Sequence, residues 1–294
     1  YWNKWKPALL FSKKSFKELF SFGSNLLVSG LIDTIYRNIY YVIIGKYFTA
    51  VELGYYTRAE QFQSLPLANL QGIIGRVSYP VLSTLQHDLP KLKETYKKII
   101  RSTMLVTFVL MLGMAATAKP MILTLIGAKW EPCIIYLQML CFVAMLYPLH
   151  AINLNMLNVK GRSDLFLRLE IIKKALAVPV IIVAVFFGIK VMIGCMILLS
   201  LIAYYLNSYW SGRLINYSWF EQIKDILPSF LIAAAMSTIV FIEGIFFNLS
   251  PLPMLIMQVT TGAILTFIIC ELLRFKDYLY IKEIINDKFF RGTN

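Results

Sequence analysis

Eight mostly apolar runs, most of them near 20 residues, follow one another with short gaps between them, and this repetition limits what the chain can become. A helix needs about 20 apolar residues to cross the hydrocarbon core of a bilayer. The runs cover residues 19–46, 54–86, 100–118, 132–157, 164–189, 191–211, 228–248 and 252–273. The second is long and only half apolar. Pro179 falls inside the fifth and is expected to kink it. No soluble domain fits in the gaps. The fold class read from the runs is an all-α polytopic membrane protein of eight transmembrane helices.

Composition agrees. Of 294 residues, 58% are hydrophobic and 15% charged, against about 25% charged in a soluble domain. That excludes an ordinary soluble enzyme, a disordered tail and a disulfide scaffold. Cys133, Cys141, Cys195 and Cys270 sit in apolar runs without a C-x-x-C spacing, so they read as core residues. His87 and His150 lack ligand spacing, and no metal site is expected.

The net charge of +13 would suggest nucleic acid on a soluble protein. Here its distribution points to a membrane surface instead. Of 29 lysines and arginines, 20 fall before the first run, at or beside alternate junctions between runs and after the last. Five, Lys46, Arg58, Lys119, Lys129 and Lys190, fall at or beside the other junctions, and Arg37, Arg76, Lys173 and Lys174 lie deeper within runs. Basic residues collect in cytoplasmic loops, so both ends of the chain are expected in the cytoplasm. Residues 212–227 read as an amphipathic connector. Residues 274–294 read as a basic tail with Tyr278, Tyr280, Phe289 and Phe290 at headgroup level.

A charged side chain at bilayer depth costs about 2.5–3.5 kcal/mol on insertion scales, so each needs a reason. Asn25, Ser29, Asp33 and Arg37 recur every four residues in the first run, with Tyr36 and Tyr40 beside them. They form one polar stripe, read either as an Asp33–Arg37 pair that glues helices or as the wall of a hydrophilic cavity. In the second run Asn69 and Arg76 share a face. Arg37 and Arg76 at similar depth could grip an anion, since a guanidinium fork suits phosphate; Arg76 could equally snorkel. In the fifth run Glu170 can neutralise Lys173 or Lys174. The remaining ammonium either snorkels or meets an anionic headgroup. Glu243 reads as interfacial or, alternatively, as a proton-coupling carboxylate. His150, Asn153, Asn155 and Asn158, and likewise Tyr204, Tyr205, Asn207 and Ser208, suit interhelical hydrogen bonds. No nucleophile elbow, phosphate-binding loop, zinc motif or paired carboxylates occur, so an enzyme is not expected.

Several stretches carry a resemblance. These are Leu53-Gly-Tyr-Tyr-Thr-Arg-Ala-Glu-Gln-Phe-Gln-Ser-Leu-Pro66, Pro80-Val-Leu-Ser-x-Leu-Gln86, Tyr96-Lys-Lys with Arg101, Ile126-Gly-Ala-Lys-Trp130, Leu137-Gln138, and Leu157-Asn-Val-Lys-Gly-Arg-Ser-Asp164. In order and spacing the chain resembles the Wzx-type polysaccharide flippases, the lipopolysaccharide biosynthesis protein and colanic-acid exporter branch of the MOP superfamily that also holds MATE transporters.

The resemblance implies fourteen spans in the whole protein, of which this chain would hold spans seven to fourteen. Residues 1–18 would be a cytoplasmic basic segment. Residues 19–211 would form the C-terminal six-helix lobe and 228–273 two additional helices, joined by the connector. A missing N-terminal lobe would be the first partner. The implied activity flips undecaprenyl-diphosphate-linked oligosaccharide across the bacterial inner membrane by alternating access, alongside polymerase and glycosyltransferases. Arg37, Arg76, Lys173 and Lys174 are the headgroup candidates. Asn25, Ser29, Asp33, Tyr36, Tyr40 and Asn69 would line the cavity. No cofactor is expected beyond a coupling proton or sodium ion, with Asp33 as its site, and no nucleic acid. The rival readings are a MATE-type drug exporter, which should favour cavity carboxylates, a membrane-embedded polymerase or glycosyltransferase, which would need a large outer loop or a catalytic acid pair, and a non-catalytic partner in polysaccharide assembly.

Overall fold

The computed structural model describes residues 11–290, and within them every side chain except those of Arg37, Ile73, Ala184 and residues 284–290. Lys4, Lys6, Arg291 and the side chains of Arg37, Lys288, Phe289 and Phe290, singled out above, therefore lie outside the described residues.

The described residues form eleven α-helices and no strand: α1 (Lys13–Tyr47), α2 (Ala50–Thr84), α3 (Leu89–Ala116), α4 (Ala118–Leu125), α5 (Cys133–Ala144), α6 (Tyr147–Val159), α7 (Ser163–Phe187), α8 (Ile189–Ile215), α9 (Trp219–Phe246), α10 (Pro251–Leu272) and α11 (Lys276–Phe290). Every apolar run is helical. Six stretches, namely α1, α3, α5 with α6, α8, α9 and α10, are long and apolar enough to cross a membrane. The protein is an all-α polytopic membrane protein. Helices α2 and α7 have the length but are more polar. Gln61, Gln63, Asn69, Gln71 and Arg76 dilute α2, and the most apolar half of α7 still begins with Glu170, Lys173 and Lys174.

Local chemistry sets the helix ends. Helix α2 opens on a capping box: Thr49 Oγ1 accepts the Glu52 N–H at 3.2 Å while the Glu52 carboxylate accepts the Thr49 N–H at 3.1 Å, which satisfies two otherwise orphaned donors. Asp88 caps α3 by accepting the Lys91 N–H at 3.2 Å, and this bond holds its carboxyl below the usual range. The fourth run breaks at Met145–Leu146, ahead of Pro148, which cannot donate to the helix before it. Pro179 and Pro228 are instead carried inside continuous helices. Gly188 turns from α7 into α8 at φ +91°. The expected connector 212–227 is divided between the end of α8 and the start of α9. Asn216, in a left-handed conformation, ends α8 there. A Cβ on Gly212 would stand 2.2 Å from the Tyr217 carbonyl oxygen, so only glycine permits this turn.

Helix α3 is the central post, packed by α9, α5, α2 and α11. One core gathers Tyr40, Ile44, Tyr56, Leu137 and Met192. The other, toward the end rich in lysine, gathers Leu82, Leu92, Tyr96, Met104, Leu149 and Tyr217. Polar bonds tie this second core. Asn153 Oδ1 accepts from Tyr96 at 2.9 Å, Ser211 at 2.5 Å and Gln222 at 3.3 Å, so one amide joins α6, α3, α8 and α9. His150 bonds Ser200 at 3.2 Å and Asn155 bonds Ser78 at 3.0 Å. The interhelical role read from the sequence is borne out for His150, Asn153 and Asn155, and for Tyr204, which donates to the Trp219 carbonyl at 2.9 Å; Ser208 turns back to its own helix, and the Asn207 amide and Asn158 Oδ1 have no hydrogen-bond partner among the described residues. Helix α1 is peripheral, packed on α7 and α2. Leu27, Leu31, Ile35 and Val42 point outward from it.

Candidate functional site

The polar stripe of α1 is turned toward α7. At its lower end Asn25 Nδ2 donates to Ser163 Oγ at 3.3 Å. One turn on, Ser29 is buried and donates to the Asn25 carbonyl. Next comes Asp33, whose Oδ1 accepts from Lys174 Nζ at 2.7 Å. Tyr36 follows, its ring 4.0 Å from the same ammonium, and its hydroxyl bonds that of buried Tyr40. A spacing of four residues puts these groups on one helix face, and the stripe reaches protein rather than lipid because α7 answers it with its own polar residues.

Those residues are charged. Glu170 is 5% exposed. It takes Lys173 at 2.5 Å and Lys174 at 3.6 Å. Lys174 therefore stands between a carboxylate of its own helix and one of α1. Asp33, Glu170, Lys173 and Lys174 balance as two charges of each sign, which is how a membrane helix carries ionised groups at tolerable cost. An ammonium with one carboxylate on each of two helices can change partner without a large movement. The lower end of this seam opens into a cleft of about 750 Å³ lined by Ser15, Lys17, Glu18, Asn25, Ser163 and Asp164.

The remaining site candidates stand differently. Asn69 is exposed and its amide turns back to the Leu65 carbonyl at 3.3 Å. Arg76 is exposed on α2 and takes part in no ion pair among the described residues. Thus the structure brings Asn25, Ser29, Asp33, Tyr36, Tyr40, Lys173 and Lys174 together and leaves Asn69 and Arg76 on the outer surface of α2.

A second charged group was not singled out in the sequence. Lys97 of α3 reaches Glu221 at 2.5 Å and Asp225 at 3.6 Å on α9, and Lys93 reaches Glu221 at 3.4 Å. Both ammoniums lie over the ring of Tyr217, and the Tyr217 hydroxyl donates to Asp225 at 2.7 Å. Burial, then the Asp225 carboxylate, raises that phenol above its ordinary range. Arg101 pairs with Asp277 of α11 at 3.0 Å. The sequence signal was there in two matched spacings of four, Lys93 with Lys97 and Glu221 with Asp225. These loop lysines are thus partly spent on holding α9 and α11 to α3.

Residues 1–135 match the family model described as "Polysaccharide biosynthesis protein". The chain is 27% identical over 242 residues to the teichuronic acid biosynthesis protein TuaB of Bacillus subtilis (strain 168), covering 82% of this chain and 50% of that protein. It is 26% identical over 179 residues to the lipopolysaccharide biosynthesis protein WzxC of Escherichia coli (strain K12), covering 61% and 36%. It is 23% identical over 128 residues to the succinoglycan biosynthesis transport protein ExoT of Rhizobium meliloti (strain 1021), covering 44% and 26%. The chain matches half or less of the length of each of these relatives. No solved structure matches it. The likeness to polysaccharide biosynthesis proteins read from the motifs is borne out.

Proposed function

We propose, from the likeness to polysaccharide biosynthesis and transport proteins, that this chain is the C-terminal part of a transporter that flips undecaprenyl-diphosphate-linked oligosaccharide across the plasma membrane. Its six-helix lobe rocks against a second lobe outside this chain, in the alternating access of secondary transporters. The observation that carries the reading is the position of Lys174 between Asp33 of α1 and Glu170 of α7. A diphosphate is a double acceptor that can replace Asp33 on this ammonium. Asp33 is released when it takes a proton or a sodium ion, and that exchange couples the ion gradient to headgroup binding. Arg76, exposed on α2, gives the headgroup a second cation. Both ends of the chain lie in the cytoplasm.

The test is complementation of a strain lacking its own exporter by the full-length gene carrying Arg76→Ala or Lys174→Ala. Surface polysaccharide is expected to fall at least tenfold, with the lipid-linked unit accumulating inside, while Arg76→Lys retains part of the export. Normal surface polysaccharide at normal protein level in both alanine variants would refute the headgroup role of these cations.

A further inference from the structure

The end of the molecule opposite the lysine-rich one holds few cations. The basic residues at its junctions are Lys46, Arg58, Lys119, Lys129 and Lys190, and two of them meet at one indole. Gly127, at φ +90°, turns the chain out of α4 into a single 3-10 turn, Ala128–Trp130. That turn lays Trp130 against the start of α2, beside Gly54 and edge to face with Tyr55 at 5.9 Å between ring centres. The Arg58 guanidinium lies over the Trp130 ring at 5.6 Å and the Lys129 ammonium at 5.8 Å. The ring quadrupole attracts both cations. Arg58 is fixed further, because its Nη1 donates to Gln61 Oε1 at 2.8 Å. A guanidinium carries five N–H donors, so this bond leaves most of the fork unused.

Both cations are exposed, and neither takes part in an ion pair among the described residues. Of the carboxylates nearest in sequence, Glu52 caps α2 at Thr49, Glu60 accepts from Tyr41, and Glu131 forms no ion pair among the described residues. The indole already meets cations, which suits an anion held beside them better than a sugar stacked on the ring. Arg58 also precedes Arg76 by 18 residues, about five full turns or ~27 Å. The two therefore share one face of α2, with exposed Gln61, Leu65 and Asn69 between them. Polar side chains on a membrane-length helix rarely turn to lipid tails.

We propose that Arg58 and Lys129, arranged around Trp130, bind the phosphate of a lipid headgroup at this end of α2. The fork of Arg58 takes two phosphate oxygens, and Lys129 adds a point charge. Two lipids supply that chemistry, the transported diphosphate and a resident anionic phospholipid. The face shared with Arg76 favours the diphosphate. That choice of source rests on the flippase reading, whereas the site itself does not.

Lipid retention by the purified full-length protein in non-ionic detergent, counted by native mass spectrometry, tests the site. The probes are undecaprenyl diphosphate and phosphatidylglycerol, added separately to protein carrying Arg76→Ala, so that the other cation on this face contributes nothing. Adding Arg58→Ala is expected to weaken undecaprenyl diphosphate binding roughly tenfold, the smaller end of what a charge-assisted bond is worth. Lys129→Ala should weaken it less, and Arg58→Lys should retain part of it. Arg58 is exposed, so its alanine variant should fold. If phosphatidylglycerol is lost as well or instead, the site stands and takes a resident phospholipid. Unchanged retention of both lipids would overturn it. Export is not the readout, so that result leaves the flippase reading intact; the flippase reading fails instead if Arg76→Ala and Lys174→Ala both export normally.

Discussion

Lys174 Nζ stands 2.7 Å from Asp33 Oδ1 and so ties the middle of α7 to the middle of α1. Helix α1 buries little of its apolar surface within the chain, so this bond is a large share of what is seen to join it to α7. Removing one partner leaves its mate charged and poorly hydrated. Lys174→Met is expected to destabilise the α1–α7 pairing by about 1–3 kcal/mol. That is below the 3–5 kcal/mol of a fully buried pair, because a third of the Asp33 side chain remains exposed. Asp33→Asn combined with Lys174→Met should recover most of the loss. Unfolding in mixed micelles measures both.

Asn153 serves three donors at once. Interhelical hydrogen bonds in membranes are worth about 0.6 kcal/mol each and at most about 1.7. Asn153→Ala should therefore cost about 2 kcal/mol. Because the lost bonds run to α3, α8 and α9 together, amide exchange should rise in all three helices rather than locally. Exchange confined to α6 would contradict the network.

Two glycines should respond in opposite directions. Gly212→Ala drives a Cβ into the Tyr217 carbonyl. It should open the α8–α9 turn and separate Glu221 and Asp225 from Lys97, with a loss of more than about 3 kcal/mol by analogy with the larger overpacking penalties. Gly30 has open space where a Cβ would stand, so Gly30→Ala should be neutral or stabilising by up to about 1 kcal/mol from helix propensity. Paired melting curves decide between them.

Asp277 supplies a pH dependence. Burial raises its carboxyl above the ordinary range, against the opposing pull of Arg101 and Lys276, and Asp225 adds to the rise. A carboxyl whose folded value lies above its unfolded one is most stabilising while protonated. Its contribution falls as pH climbs from the ordinary carboxylate range through the raised value. Docking of α11 on α3 should weaken across that window, and Asp277→Asn should flatten the profile. Proteolysis at the α10–α11 junction, followed against pH, reads the change.

The polar positions of the first run show how far the sequence could be read. Spacing alone placed Asn25, Ser29, Asp33 and Tyr36 on one face and required that face to meet protein or water, and it meets α7. Helix spacing offers Asp33 a local partner in Arg37, whose side chain lies outside the described residues, but it gives no hint of Lys174, 141 residues away, which stands at 2.7 Å. The same holds for Lys93 and Lys97, whose lysine-rich context suggested a lipid surface and whose partners lie on α9.

What the chain decides by itself is where its helices lie, because the length of an apolar run is measured against a bilayer of constant thickness and the backbone can satisfy itself only as helix. Which charges neutralise one another, and which buried oxygens are left without a donor, emerged only when the helices were packed. Those facts depend on distances of a few ångströms between segments a hundred or more residues apart, and a local pattern carries no record of them.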